Sequence, residues 1–132
     1  MPHSPASAGR VRRMLTADLR AQRIHDSTVE EAALLVTELV GNAVRYARPL
    51  PDDCLLVSWQ VEARGVQIRV TDGGGLLDSP HLAYAGPRDT RGRGLSIVNA
   101  LAAVWGVDGG AGSTTVWVVL PGSSPPPAPV RL

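Results

Sequence analysis

The stretch Glu38-Leu39-Val40-Gly41-Asn42-Ala43-Val44-Arg45-Tyr46-Ala47 sits inside a helical pattern that begins near Asp26 and runs to about Ala47. At about 100° per residue, Val29, Ala33, Val36, Val40, Ala43 and Ala47 gather on one side of the helix, which is expected to face a sheet. Glu38 and Asn42 fall on the opposite side, one turn apart, with Arg45 a turn further. Leu34, Leu35 and Leu39 flank them, and a plain solvent face is not normally so apolar. Glu38 and Asn42 are therefore expected to look into a partly covered pocket. An Asn carbonyl oxygen is a hard, neutral ligand for Mg²⁺, which keeps waters and phosphate oxygens as its other ligands. A carboxylate one turn earlier can accept a proton from a hydroxyl or water attacking a phosphate. Taken alone, the pair favours a plainer reading, an exposed Glu and Asn on a solvated helix.

Outward from this helix, His25-Asp26-Ser27-Thr28 breaks the preceding pattern, and Asp26 or Ser27 is the expected cap. Pro49 sets the far limit, because the residue before a proline is pushed out of the helical region. Upstream, residues 8–23 form a helix with Val11, Leu15 and Leu19 on one stripe. Arg10, Arg12, Arg13, Arg20 and Arg23 make it basic, a solvated face rather than a nucleic-acid contact. Downstream, Leu50–Asp53 is a turn. Cys54–Glu62 and Val66–Thr71 are β-rich runs joined by Ala63-Arg64-Gly65 as a hairpin. Residues 72–91 are loop-like, Gly92–Trp105 resumes a helical pattern, and Ser113–Leu120 is a further strand after a turn marked by Gly109, Gly110 and Gly112. The order α, α, β, β, loop, α, β predicts an α+β two-layer sandwich. One domain over 8–120 is expected, with a flexible segment at 1–7 and a Pro-rich tail at 121–132.

Composition removes several chemistries. The 132 residues suit one domain, and 13 basic against 12 acidic residues leave a formal charge of +1, which gives no general signal for nucleic acid or membrane. Every basic residue is Arg, so neither a Walker A loop nor a Schiff-base lysine is available. A single cysteine, Cys54, excludes an internal disulfide and a multi-thiolate zinc site. His3, His25 and His81 lack metal-ligand spacing. No apolar run approaches the roughly 20 residues of a membrane span, and the first residues carry no signal-peptide core. A soluble, cytoplasmic protein is the expectation.

Two further stretches carry chemistry. In Ile68-Arg69-Val70-Thr71-Asp72-Gly73-Gly74-Gly75 a strand ends on a carboxylate and three glycines. Glycine lets backbone approach a flat ligand, and the Asp72 carboxylate can accept a hydrogen bond from an adenine amino group; a plain Asp-Gly turn is the simpler alternative. In Arg91-Gly92-Arg93-Gly94-Leu95 glycines precede a helix that starts near Leu95, and bare N–H groups there make an anion site to which Arg91 and Arg93 add charge. Thr114 and Thr115 open the last strand, where threonine is ordinarily β-propensity.

Glu38 to Ala47, Val70 to Gly75, Gly92 to Val98 and Thr114 to Trp117, in that order and spacing, resemble the gyrase, heat-shock chaperone, histidine kinase and MutL (GHKL) ATPase superfamily. The likeness is nearest to the small anti-sigma-factor serine kinases and covers about residues 8–120. The resemblance implies a Bergerat-type fold, a mixed, mainly antiparallel sheet with helices on one face. It implies ATP and Mg²⁺ as cofactors, Asn42 as the metal ligand, Glu38 as the general base and Asp72 as receiver of the adenine amino group. Gly74 would shape the adenine pocket, and Thr115 would back Asp72. Gly92 and Gly94 would line the phosphates, Arg45, Arg91, Arg93 and Leu95 would be further nucleotide-binding residues, and residues 76–91 would be a short lid. Leu76 stands where the family's fuller D-x-G-x-G pattern has its last glycine.

The implied function is an ATP-dependent protein serine/threonine kinase that phosphorylates an anti-anti-sigma protein and otherwise holds a sigma factor. No direct nucleic-acid or membrane partner is implied, and a homodimer is open. A non-catalytic ATP-binding regulator of the same fold is the alternative within the family. An interaction module using residues 10–23 and the tail without nucleotide is the alternative outside it. A sensor histidine kinase is disfavoured, because His25 lies too close to Glu38 for a two-helix phosphoacceptor hairpin.

Overall fold

The computed structural model describes residues 1–63, 65–74, 104–110 and 112–121. They form two helices and a four-stranded antiparallel sheet of order β1-β2-β4-β3. Helix α1 is Ala6–Ala21 and α2 is Asp26–Tyr46; the strands are β1 Leu56–Glu62, β2 Gly65–Asp72, β3 Val104–Gly110 and β4 Ser113–Pro121. This is the expected α+β class, with the helices packed on one face of the sheet.

Helix α1 buries Ser7, Val11, Leu15 and Leu19, a strict i, i+4 stripe. Arg23 closes it in the left-handed region at φ 61°, and Ile24 N–H returns to the Leu19 carbonyl at 3.0 Å, the bond that defines a Schellman turn. The N-cap of α2 is His25, whose Nδ1 accepts from Ser27 N–H at 3.3 Å. The expected caps Asp26 and Ser27 lie just inside the helix. Ala47 is already extended at φ −119°, ψ 160°, in keeping with the limit that Pro49 sets.

The buried side of α2 is broader than one stripe. It comprises Thr28, Val29, Ala32, Leu35, Val36, Leu39, Val40, Asn42 and Ala43, because the helix packs against α1 as well as against β2 and β4. Leu35 and Leu39 are therefore core residues, and Leu34 alone of the flanking leucines is exposed. The sheet's inner face follows period 2: Val66, Ile68, Val70 and Asp72 on β2, and Thr114, Val116, Val118 and Leu120 on β4. Trp59 on β1 donates its indole N–H to Asp18 of α1 at 2.8 Å, tying the sheet edge to the outer helix.

Two expectations need correction. Val104 and Trp105 open strand β3 rather than ending a helix, and Gly109-Gly110 belongs to that strand, which pairs antiparallel with β4 from Val104↔Val119 to Gly110↔Ser113. Residues 1–3 are docked rather than loose. Leu55 N–H donates to the Met1 carbonyl at 2.6 Å, His3 N–H donates to Asp53 at 2.8 Å, and Pro2 bridges Cys54. The expected helix from Gly92, the lid at 76–91 and the tail beyond Pro121 lie outside the described residues.

At the close of α2 the backbone pairs with the end of β2. Gly73 N–H donates to the Arg48 carbonyl at 2.6 Å, and Arg48 N–H donates to Gly74 at 2.8 Å. The approach is tight enough that a Cβ on Gly73 would overlap the Pro49 carbonyl oxygen. Gly73→Ala should therefore lower stability by about 2 kcal/mol or more. Gly9→Ala in α1, where the new Cβ meets only the tip of Arg13 at 3.5 Å, should raise it by roughly 0.5–1 kcal/mol. Urea denaturation of both variants checks the pair.

Candidate functional site

The alternation that fills the core with Val66, Ile68 and Val70 carries Asp72 onto the same face at the strand's end. Its residue is 1% exposed. Oδ1 accepts from Gly74 N–H at 2.8 Å, while Oδ2 is buried with no partner among the described residues. Burial pushes the carboxyl up to about 6, against the opposing effects of the Gly74 N–H and the nearby charge of His3. Gly74 sits at φ +98°, a conformation that suits glycine and turns its amide back onto the carboxylate. The cross-strand partner of Asp72 is Thr114, which is also buried.

The other half of the site lies on the last turns of α2. Asn42 is 0% exposed, at the rim of the helix's buried arc. Its Oδ1 accepts from Arg45 Nη2 at 3.3 Å, and its Nδ2 is buried without a partner among the described residues. Glu38, one turn earlier, is half-buried and has no hydrogen-bond or ion-pair partner among the described residues. Arg45 also stands over the Tyr46 ring, 5.6 Å from its centroid. The Arg48–Gly74 pairing joins the two halves, so Asn42, Arg45, Asp72 and Gly74 belong to one end of the domain.

Thr115 is placed elsewhere. It lies opposite Thr71, and the two hydroxyls share a hydrogen bond of 2.7 Å on the outer face of the sheet. Strand parity puts Thr114, not Thr115, beside Asp72. The hydropathy pattern of β4 cannot reveal this, because the strand is apolar on both faces: Val116 and Val118 inside, Trp117 and Val119 outside. His3 is also not legible as a neighbour of Asp72, since nothing near it in sequence marks a docking segment. Arg91, Gly92, Arg93, Gly94, Leu95 and the departure at Leu76 lie outside the described residues.

Among the described residues no group of three or more His, Cys, Asp or Glu could hold a metal by itself. The donor set nonetheless suits Mg²⁺ brought in with a phosphate. Asn42 offers a neutral oxygen, and an ion of this kind takes most of its remaining ligands from phosphate and water. The unsatisfied Asp72 oxygen suits a ligand N–H, and the unsatisfied Asn42 amide suits a ligand oxygen.

A two-layer α+β domain with such complementary orphan groups at one end is built to receive a polar ligand there. The histidine kinase-like ATPase domain model matches residues 1–120, and the chain belongs to that family. Membership implies nucleotide binding, usually with Mg²⁺. Among solved structures, the histidine kinase domain of the blue-light-activated histidine kinase from Erythrobacter litoralis EL346 is similar at TM-score 0.55 and 21% identity, covering 93% of this chain and 62% of that one. At that identity the likeness shows the fold, and this chain matches less than two thirds of the other's length. No curated protein matches the chain. No helix among the described residues is long and apolar enough to cross a membrane.

The raised Asp72 carboxyl sets a pH test. A folded-state value of about 6 against an ordinary 3.8 means that the native state binds the proton more tightly than the unfolded chain. Stability from this group is present below about pH 4 and is lost as pH rises through 6. Asp72→Asn should thus be more stable than wild type at pH 8, with the gap closing as pH falls to 4. Thermal melts across that range measure it.

Proposed function

We propose that the chain binds Mg-ATP at this end of the sheet and acts as an anti-sigma-type protein serine/threonine kinase. It would phosphorylate an anti-anti-sigma protein and otherwise hold a sigma factor. The observation that carries the nucleotide half is Asp72, a buried carboxylate with one oxygen fixed by Gly74 and the other unsatisfied among the described residues. That free oxygen accepts the adenine amino group. Asn42 is the residue that would hold Mg²⁺, which, when bound, offsets phosphate charge. Arg45, beside Asn42, supplies a guanidinium for the triphosphate.

Glu38 supports the kinase half. It is half-buried one turn from Asn42, and no partner among the described residues occupies it. Its carboxylate takes the proton from the partner's serine or threonine hydroxyl as that oxygen bonds to the terminal phosphorus. The bond from that phosphorus to the bridging oxygen breaks, and ADP leaves. The partner assignment rests on the likeness of Glu38–Ala47, Val70–Gly75, Gly92–Val98 and Thr114–Trp117 to the small anti-sigma kinases.

Asp72→Asn presents an amide N–H where the adenine amino group needs an acceptor. It should weaken ATP binding by roughly 1.5–3 kcal/mol, measured by calorimetry in Mg²⁺ at pH 8. Unchanged affinity would remove Asp72 from the adenine site.

Glu38 and Asn42 separate kinase from passive binder. Asn42→Ala should damage both Mg-ATP binding and transfer. Glu38→Ala should keep ATP binding while transfer to a purified anti-anti-sigma protein falls by roughly 10²–10⁴-fold. Wild-type protein that binds ATP and changes partner affinity with it, yet transfers no phosphate, would establish a non-catalytic regulator instead.

A further inference from the structure

The docked residues 1–3 reach the joint that links the two halves of the site. His3 Nε2 lies 3.1 Å from the Ala43 carbonyl oxygen and 3.0 Å from that of Ala47. Both carbonyls only accept, so this nitrogen carries the proton and donates to both. The Ala43 carbonyl already receives Ala47 N–H at 3.2 Å, the last bond of α2. His3 therefore closes the terminal turn of α2 from outside, adding a second donor to the Ala43 carbonyl and one to that of Ala47, at a helix end that favours a donor or a cation.

The residues on either side of that turn belong to the site. Asn42 precedes Ala43, and Arg48, which follows Ala47, makes the two backbone bonds to Gly73 and Gly74. Gly74 in turn donates to the Asp72 carboxylate. A continuous series of direct bonds thus runs from the His3 ring, through the end of α2 and Arg48, to Asp72. His3 is itself held by its backbone N–H on Asp53.

We propose that His3 is a positioning residue for nucleotide binding: by closing the last turn of α2 it fixes the Arg48–Gly74 joint and thereby aims the Asp72 carboxylate. This rests on the nucleotide reading above, and it assigns to residues 1–3 a part in the site.

The test uses the full chain with His3→Ala and His3→Gln. A glutamine amide reaches as far from the backbone as Nε2 and offers two N–H donors for the two carbonyls. In His3→Ala, the amides of Arg48, Gly73 and Gly74 in nucleotide-free protein should exchange about tenfold faster, and the Kd for Mg-ATP at pH 8 should rise about tenfold. His3→Gln should restore both to within about threefold of wild type. Wild-type exchange and affinity in His3→Ala would overturn the proposal, as would equal losses in the two variants. Exchange that behaves as expected in a wild type that binds no adenine nucleotide would overturn the nucleotide reading and leave the tether from His3 to the joint standing. Loss of ATP binding in Asp72→Asn alongside unchanged binding in His3→Ala would overturn only the role of His3.

Discussion

The backbone pairing of Arg48 with Gly73 and Gly74 is the constraint on which the rest of the site depends. It follows from two local facts. Pro49 forces Arg48 out of helical geometry, and its N–H and carbonyl, free of the helix's own ladder, pair with Gly74 and Gly73 instead. Gly73 is the residue type that lets the two segments approach, since a side chain there would collide with the Pro49 carbonyl. Once the joint is made, the last turns of α2 and the last residues of β2 share one frame. Asn42 and Asp72, thirty residues apart in the chain, then hold fixed places with respect to each other.

That frame carries an energetic cost. A valine at position 72 would continue the apolar series of β2, whereas a carboxylate there loses hydration and regains only part of it from Gly74. The rise of its pKa to about 6 is the measure of that imbalance. Unsatisfied buried groups cost on the order of 1–3 kcal/mol each, and a domain's whole stability is about 5–15 kcal/mol. Asp72 Oδ2 and Asn42 Nδ2 are therefore expensive relative to the fold, and both lie where two elements meet. A perturbed, incompletely paired group in such a place points to a ligand more than to architecture.

Much of this is legible in the sequence. The ends of α2, the β1–β2 hairpin and the α1 stripe all come from local patterns: helical period, a proline stop, strand alternation. Strand β3 does not. Its Val104-Trp105-Gly106-Val107-Asp108-Gly109-Gly110 has weak β-propensity, and pairing with β4 decides its conformation. Gly106, which reads as a breaker, is required there because Trp117 lies across it, with Cζ2 only 2.5 Å from where a Cβ would stand. The docking of residues 1–3 is hidden for the same reason: its bonds go to Asp53, Leu55, Ala43 and Ala47, all remote in sequence. The Thr114–Thr115 distinction depends on strand parity, which a strand apolar on both faces conceals.

The polarity of the two orphan groups narrows the ligand further. Among the described residues Asp72 Oδ2 lacks a donor, and the Asn42 amide Nδ2 lacks an acceptor. A purely anionic ligand would be repelled at Asp72, and a purely cationic one would leave the Asn42 amide unpaired and face Arg45. The ligand must offer N–H at one end and oxygens at the other, with the negative end toward Asn42 and Arg45. A nucleoside phosphate with an exocyclic amino group has that order of charges. The two halves sit on different elements held by one joint, and the paired backbone of Arg48, Gly73 and Gly74 fixes their separation, as a site for such a ligand requires.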